Sequence, residues 1–215
     1  MRLLALFLSL LIALPCWAPP MTMNVPYEQW REKTVLTLMV FLHENRRNSI
    51  RVKLADGTFK FFLVSKSLLG QIADCAYMAA ELNPHWGNCQ EEVAGKLICV
   101  SWVESGFDAA CINMNNRFGT VDVGWMQVNS CNWQDSGGGC AWETFCSKQK
   151  LNPKNLSLLW NLRTNMMFAA YLNELFIKHK QRTYSYGKKP VDLVLYSRLM
   201  EIVTFHPSVM EMAKK

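Results

Sequence analysis

Hydrophobic positions recur every three or four residues over 27–45, at Trp30, Val35, Leu38, Met39 and Leu42, the spacing that lines one face of an α-helix. The period then drops to two. Ile50, Val52 and Leu54 alternate with polar neighbours, Asp56-Gly57 offers a tight turn, and Phe59, Phe61 and Leu63 alternate beyond it, so this stretch predicts a β-hairpin. A hairpin alone is marginal in water and is expected to pack on the rest of the protein or on a partner. From Ser67 the helical spacing returns through Leu68, Ile72, Cys75 and Met78 and stops at Asn83-Pro84. A further helix is expected from Asn88, with Glu91 reaching back in a capping box, and it closes at Gly106, since glycine accepts the backbone angles that end a helix. Residues 108–147 read as mostly irregular, rich in Asn, Gly and Cys, with Ser136-Gly-Gly-Gly139 as the most flexible point. Asn152-Pro153 predicts a new helix start, carrying Leu156, Leu159, Trp160, Met167, Ala170 and Leu175 towards His179. A basic stretch over 178–189 precedes a last apolar helix around 191–203. The fold class these elements predict is mainly α (α+β).

The first residues carry a different message. Met1-Arg2, an apolar run over 3–14 broken only by Ser9, then Pro15 and the small-residue stretch at Cys16-Trp17-Ala18 have the layout of a secretory signal peptide over 1–18. The run is too short to span a bilayer comfortably, so no stable membrane span is expected after cleavage. Pro19 after Ala18 makes a poor cleavage site, and Cys16 offers lipid attachment as the other reading, with Pro15 fitting that motif badly. The expected organisation is a leader, an N-terminal helix and hairpin extension over 19–66, a main domain over 67–180, and a basic connector with a helix over 181–215.

Composition narrows the setting. A net charge of +6 and a pI near 8.9 suit an anionic polymer, and cell wall, nucleic acid and acidic lipid all qualify. The basic charge is diffuse and lacks a nucleic-acid motif, so no nucleic-acid partner is expected. Beyond Cys16 seven cysteines remain, Cys75, Cys89, Cys99, Cys111, Cys131, Cys140 and Cys146, and in an exported chain these read as disulfides with at least one thiol left over. Cys89 and Cys99 on one helix would lie about 15 Å apart, too far to bridge each other. Zinc is the competing reading of Cys131, Cys140 and Cys146, without a close Cys-x-x-Cys or His pair beside them. His43, His85, His179 and His206 have no second histidine at metal spacing, and no glycine loop is followed by the lysine that cradles phosphate. No metal or cofactor is expected.

The candidate chemistry centres on Glu104. It closes an apolar stripe of Val93, Leu97 and Val100, in the last helical turn, with no lysine or arginine three or four residues away. Apolar neighbours and the negative end of the helix dipole both disfavour a charged carboxylate, the condition for a general acid near neutral pH.

Glu104-Ser-Gly-Phe107, Asn113-Met-Asn115 and Gly119-Thr-Val-Asp-Val-Gly-Trp-Met-Gln-Val-Asn129 together resemble the soluble lytic transglycosylase family, particularly the small accessory enzymes of bacterial secretion and conjugation systems. Asp74-Cys75 and Ala79-Ala80 resemble the start of those enzymes, and the likeness covers roughly 72–171. It implies a lysozyme-like helical fold that cleaves the bond from MurNAc to GlcNAc in peptidoglycan, in the periplasm or outside the cell, with secretion or conjugation apparatus proteins as further partners. It makes Glu104 the single catalytic acid and base. Ser105 would orient the acid or the sugar, and Gln127 and Met126 would line the cleft, by hydrogen bonding and by packing. Asn113 and Asn129 join the substrate-binding set, and Gly119 and Gly124 would let backbone approach the saccharide. The family's later tyrosine maps to Tyr171 or, by another count, to Phe168, and Ala109 stands where proline is frequent.

Other readings stand beside these. Ser105 also fits a helix-end cap, Trp125 and Met126 also fit core, and Asp122 fits a turn-former or a second carboxylate that would shift the chemistry to lysozyme-type hydrolysis. A non-catalytic wall-binding assembly protein is the remaining alternative.

Overall fold

The computed structural model describes residues 25–114, 119–134, 140–178 and 192–204. The chain is mostly helical. α1 (Tyr27–Glu44) buries Trp30, Val35, Leu38, Phe41 and Leu42. α2 (Lys66–Ala80) starts at Ser65, whose side chain accepts from the Leu68 N–H at 3.3 Å, and it buries Leu68, Leu69 and Ile72 with Ala73, Ala76, Ala79 and Ala80. Those alanines let other backbones approach, and α2 is the hub of the fold. α1, α3 (Gln90–Ser105) and α5 (Leu162–Lys178) all pack on it, while α6 (Leu193–Thr204) closes over α1 and α3. Each large side chain taken fully from water contributes about 1.5–3 kcal/mol, so this shared core stabilises all five helices together.

Three expectations about the elements need correction. The capping box before α3 is displaced by one residue: Glu92 Oε2 accepts from the Asn88 N–H at 2.9 Å, while Glu91 is buried and accepts from the Tyr77 hydroxyl at 3.2 Å. The stretch 108–147 is turn and loop over much of its described length, but it is not irregular throughout. It contains β3 (Ile112–Asn113), β4 (Asp122–Val123) and β5 (Val128–Asn129), an antiparallel sheet in that order, and α4 (Ala141–Gln149), which buries Trp142, Phe145 and Cys146. Finally, Asn152-Pro153 does not open a helix. A 3-10 turn spans Leu156–Trp160, and α5 begins after Asn161, whose Oδ1 accepts from the Thr164 N–H at 3.1 Å.

β1 (Ser49–Lys53) and β2 (Phe59–Leu63) form the expected hairpin, with Ser49 opposite Leu63 and Lys53 opposite Phe59. Its turn is held by Asp56 Oδ1, which accepts from the N–H and the hydroxyl of Thr58. Ile50 is completely buried and anchors one face, but Phe61 is 64% exposed and Leu63 78%, so the alternation on β2 points outward. The hairpin packs on the protein through its first strand: the Ala109 N–H donates to the Arg51 carbonyl at 2.9 Å.

An ionic clasp joins α1 to α2. Asp74 accepts from the Tyr27 hydroxyl and from two nitrogens of Arg31, which crosses α2 at Gly70, where any Cβ would collide with Arg31 Nη2. Burial raises Asp74, but the hydrogen bonds and charge of Arg31 and Tyr27 outweigh it and hold the carboxyl below its ordinary value, while burial and Asp74 push Tyr27 up to about 12. A depressed carboxylate stabilises the fold above its unfolded value of about 4 and loses that contribution as pH falls through the folded value. With about a third of each side chain exposed, solvent screening keeps the effect under about 1 kcal/mol. Urea midpoints between pH 6 and pH 3 are expected to fall more steeply for the wild type than for Asp74→Asn; parallel falls would show the clasp to be inert.

Among the described residues, no helix is long and apolar enough to cross a membrane. The leader, the basic stretch beyond Lys178, Ser136-Gly-Gly-Gly139 and Asn115 lie outside the described residues. None of the seven cysteines from Cys75 to Cys146 is joined to another, contrary to the disulfide expectation.

Candidate functional site

α3 delivers Glu104 to the surface from a wholly buried base. Val93, Leu97 and Val100 are at most 3% exposed, and Glu104, one turn further on, is half-buried. The helix stops there because Gly106 takes left-handed angles (φ 60) and its N–H turns back to the Trp102 carbonyl at 2.7 Å. The expected position of Glu104, in the last turn at the negative end of the helix, is the one observed.

Two elements frame that end. On one side stands the hairpin: Arg51 grips Asp108 through Nε at 2.8 Å and Nη2 at 2.6 Å, and Arg47 donates to the Gly106 carbonyl at 3.3 Å. Cys111 belongs to the same neighbourhood, because burial raises its thiol, and the charges of Asp108 and Glu104 add to the rise while Arg51 opposes it. On the other side lies the loop between β4 and β5. Ser105 Oγ donates to the Trp125 carbonyl at 2.8 Å and accepts from the Asp108 N–H at 3.2 Å, so its hydroxyl ties the end of α3 to that loop.

The loop is built from inside. Gln127 is 5% exposed, and its Nε2 donates to the carbonyls of Cys111 at 3.0 Å and Gly124 at 2.9 Å. Those bonds hold the residue at φ 46, a conformation that costs a non-glycine residue on the order of 1–3 kcal/mol. Met126 is fully buried, and its N–H donates to Asn165 Oδ1 at 2.7 Å. Asn165 in turn donates to the Leu159 carbonyl at 2.6 Å, joining α5, the 3-10 turn and the loop in one buried side chain. Gly124 sits against this staple: a Cβ there would lie 2.7 Å from both Asn165 Nδ2 and the Leu159 carbonyl, so its neighbour is the protein's own backbone. Gly119 differs, since a Cβ on it would meet no atom within 4 Å, and only its φ of 67 favours glycine.

Asn129 is 7% exposed and organises the sheet: its Nδ2 donates to Asp122 Oδ1 at 2.7 Å and Thr120 Oγ1 at 2.8 Å, and its Oδ1 accepts from the Cys131 N–H at 3.0 Å. Asp122 therefore stands in a strand, opposite Asn113 on one side and Asn129 on the other, and the turn-former reading is corrected. Asn113 itself is exposed. Tyr171 lies in the seam of α4 and α5, with its ring 5.7 Å from Phe145 and Lys148 Nζ 5.0 Å above it. Phe168 fills the same seam, 5.0 Å from Trp142 and 5.1 Å from Phe145.

Glu104, Ser105, Gln127 and Asn129 are thus parts of one framework, whereas the ring contacts of Tyr171 belong to the core. Sequence reasoning missed Arg51, Asp108 and Asn165. The first two are 57 residues apart and carry no local signature, and Asn165 resembles any polar helix residue until its partner 39 positions away is known. Comparison with protein-family models, with curated proteins and with solved structures finds no match for this chain.

Proposed function

We propose that the chain is an exported lytic transglycosylase of lysozyme-like fold, which cuts the β-1,4 bond between MurNAc and GlcNAc in peptidoglycan and opens the wall locally for an envelope-spanning apparatus. The observation that carries the reading is the half-buried carboxylate at the closed end of a buried helix, between the hairpin and the β3–β5 sheet. One carboxylate suffices for this reaction. Glu104 gives its proton to the glycosidic oxygen as the bond to C1 breaks; the C6 hydroxyl of the same sugar then bonds to C1 and returns its proton to Glu104, leaving a 1,6-anhydro ring and consuming no water. Ser105, Gln127 and Asn129 serve by fixing the loop and sheet beside that carboxylate, and neither metal nor cofactor has a part.

A second reading is favoured by Asp122, which Asn129 holds on β4 as a positioned carboxylate. Two carboxylates suit hydrolysis, with water as the acceptor. Mass spectrometry of fragments released from purified sacculi separates the two. Anhydro ends are expected from the wild type and unchanged from Asp122→Asn, whereas reducing ends that vanish in Asp122→Asn would establish the hydrolase.

A further inference from the structure

The outward face of the hairpin is a ladder of rings and cations. Arg51 lies opposite Phe61 and Lys53 opposite Phe59 across the two strands, and in both pairs the cation sits over the ring, at 5.4 Å and 5.8 Å from its centre. Lys53 also lies 5.2 Å from the centre of the Trp160 ring and donates to the Ser157 carbonyl at 3.0 Å, which brings a third aromatic side chain alongside. Phe59 is 38% exposed and Phe61 64%, a large apolar area for a strand that buries none of its residues. Burial lowers Lys53 from its ordinary value, so its ammonium is partly stripped of water and stands to gain from an incoming anion.

The ladder is continuous with the candidate site. Arg51 is bonded to Asp108, its carbonyl holds the Ala109 N–H, and its guanidinium is close enough to Cys111 to oppose the charge of Glu104 there. Ring faces match the C–H faces of pyranose sugars, and a lysine between rings matches a carboxylate carried on such a sugar. We infer that the Phe59, Phe61 and Trp160 face with Lys53 is a secondary binding surface for an acidic glycan strand, holding sugars beyond the bond under attack. This rests on the peptidoglycan reading and deepens it: sugar rings would stack on the phenylalanines, and lactyl or stem-peptide carboxylates would pair with Lys53. The hairpin would then convert a single cutting point into a track that retains a long polymer.

Binding of the full chain to insoluble sacculi tests the inference, measured in a Glu104→Gln background so that the polymer stays intact. Phe59→Ser with Phe61→Ser is expected to weaken retention roughly tenfold, and Lys53→Gln about threefold, with melting curves unchanged. Leu193→Ser with Val194→Ser, an apolar pair on α6 that taken together is more exposed than the two phenylalanines, is expected to leave retention as it was. Undiminished binding by the hairpin variants, or an equal loss from the α6 pair, overturns the inference. So does a parallel loss of affinity for single-stranded DNA, which would make the face a nucleic-acid platform. A wild type that neither binds nor cuts sacculi removes the parent reading instead, whereas a wild type that cuts while the Phe59 and Phe61 variants bind normally removes only this one. Should the double variant melt early, Lys53→Gln alone decides, since it removes the cation and keeps both phenylalanines in the sequence.

Discussion

Replacing Glu104 with glutamine is expected to slow the release of glycan fragments from sacculi by about a thousandfold or more, the size of effect typical of removing a positioned general acid. The exchange keeps the shape of the side chain and has almost the same helix preference, so α3 should form and the melting temperature should stay within about a degree or two. Aspartate makes a sharper comparison. It keeps the acid but withdraws it by one methylene, and a displacement of about 1 Å costs on the order of a hundredfold in a reaction that depends on alignment. Activity should therefore rank wild type, aspartate, glutamine. A glutamine variant that still cuts sacculi at roughly a tenth of the wild-type rate would mean that another group supplies the proton, and Asp122 would be the first to test.

Exchange of Gly124 for alanine is expected to destabilise the fold by about 3 kcal/mol or more, enough to lower the urea midpoint sharply. Two costs combine at this position. The backbone sits at φ 76, which alanine adopts poorly, and the added carbon would lie 2.7 Å from the Leu159 carbonyl oxygen, an atom that cannot swing aside as a side-chain tip can. Movement of Leu159 would in turn break the 2.6 Å bond from Asn165 Nδ2 and release the Met126 N–H. Gly119→Ala supplies the control, because it shares the positive φ without the crowding; a loss of only about 1 kcal/mol is expected there. Equal losses at both glycines would show that backbone angle alone sets the cost.

Local periodicity explains what could be read in advance. Trp30, Leu38 and Leu42 share a helix face, and the same spacing through Val93, Leu97 and Val100 places Glu104 correctly once Gly106 is taken as the stop. The failures arise where partners are distant or the deciding quantity is an angle. Asn88 offers its N–H to a glutamate, and whether Glu91 or Glu92 takes it depends on Tyr77, which claims Glu91 from the neighbouring helix. Asn161 and Asn152 are equally plausible caps on paper, and the 3-10 turn between them exists because Leu159 must enter the core. α4 was hidden by a composition of Cys, Ser and Lys around only three core side chains, Trp142, Phe145 and Cys146. The left-handed backbone of Gln127 has no signature at all in residue type. Its amide holds an arrangement that glycine would have made cheaply.

The closure of α6 over α1 and α3 bears on how the chain comes to be assembled. Arg198 Nη1 meets Glu44 Oε2 at 2.7 Å across 154 residues, and α6 crosses α3 where Gly95 would place a Cβ only 2.7 Å from Met200. Such distant pairings form late, since the intervening loop must close before they return any energy. The helix that carries Glu104 thus lacks its outer cover, at the level of Gly95, until residues beyond Leu193 have emerged and docked.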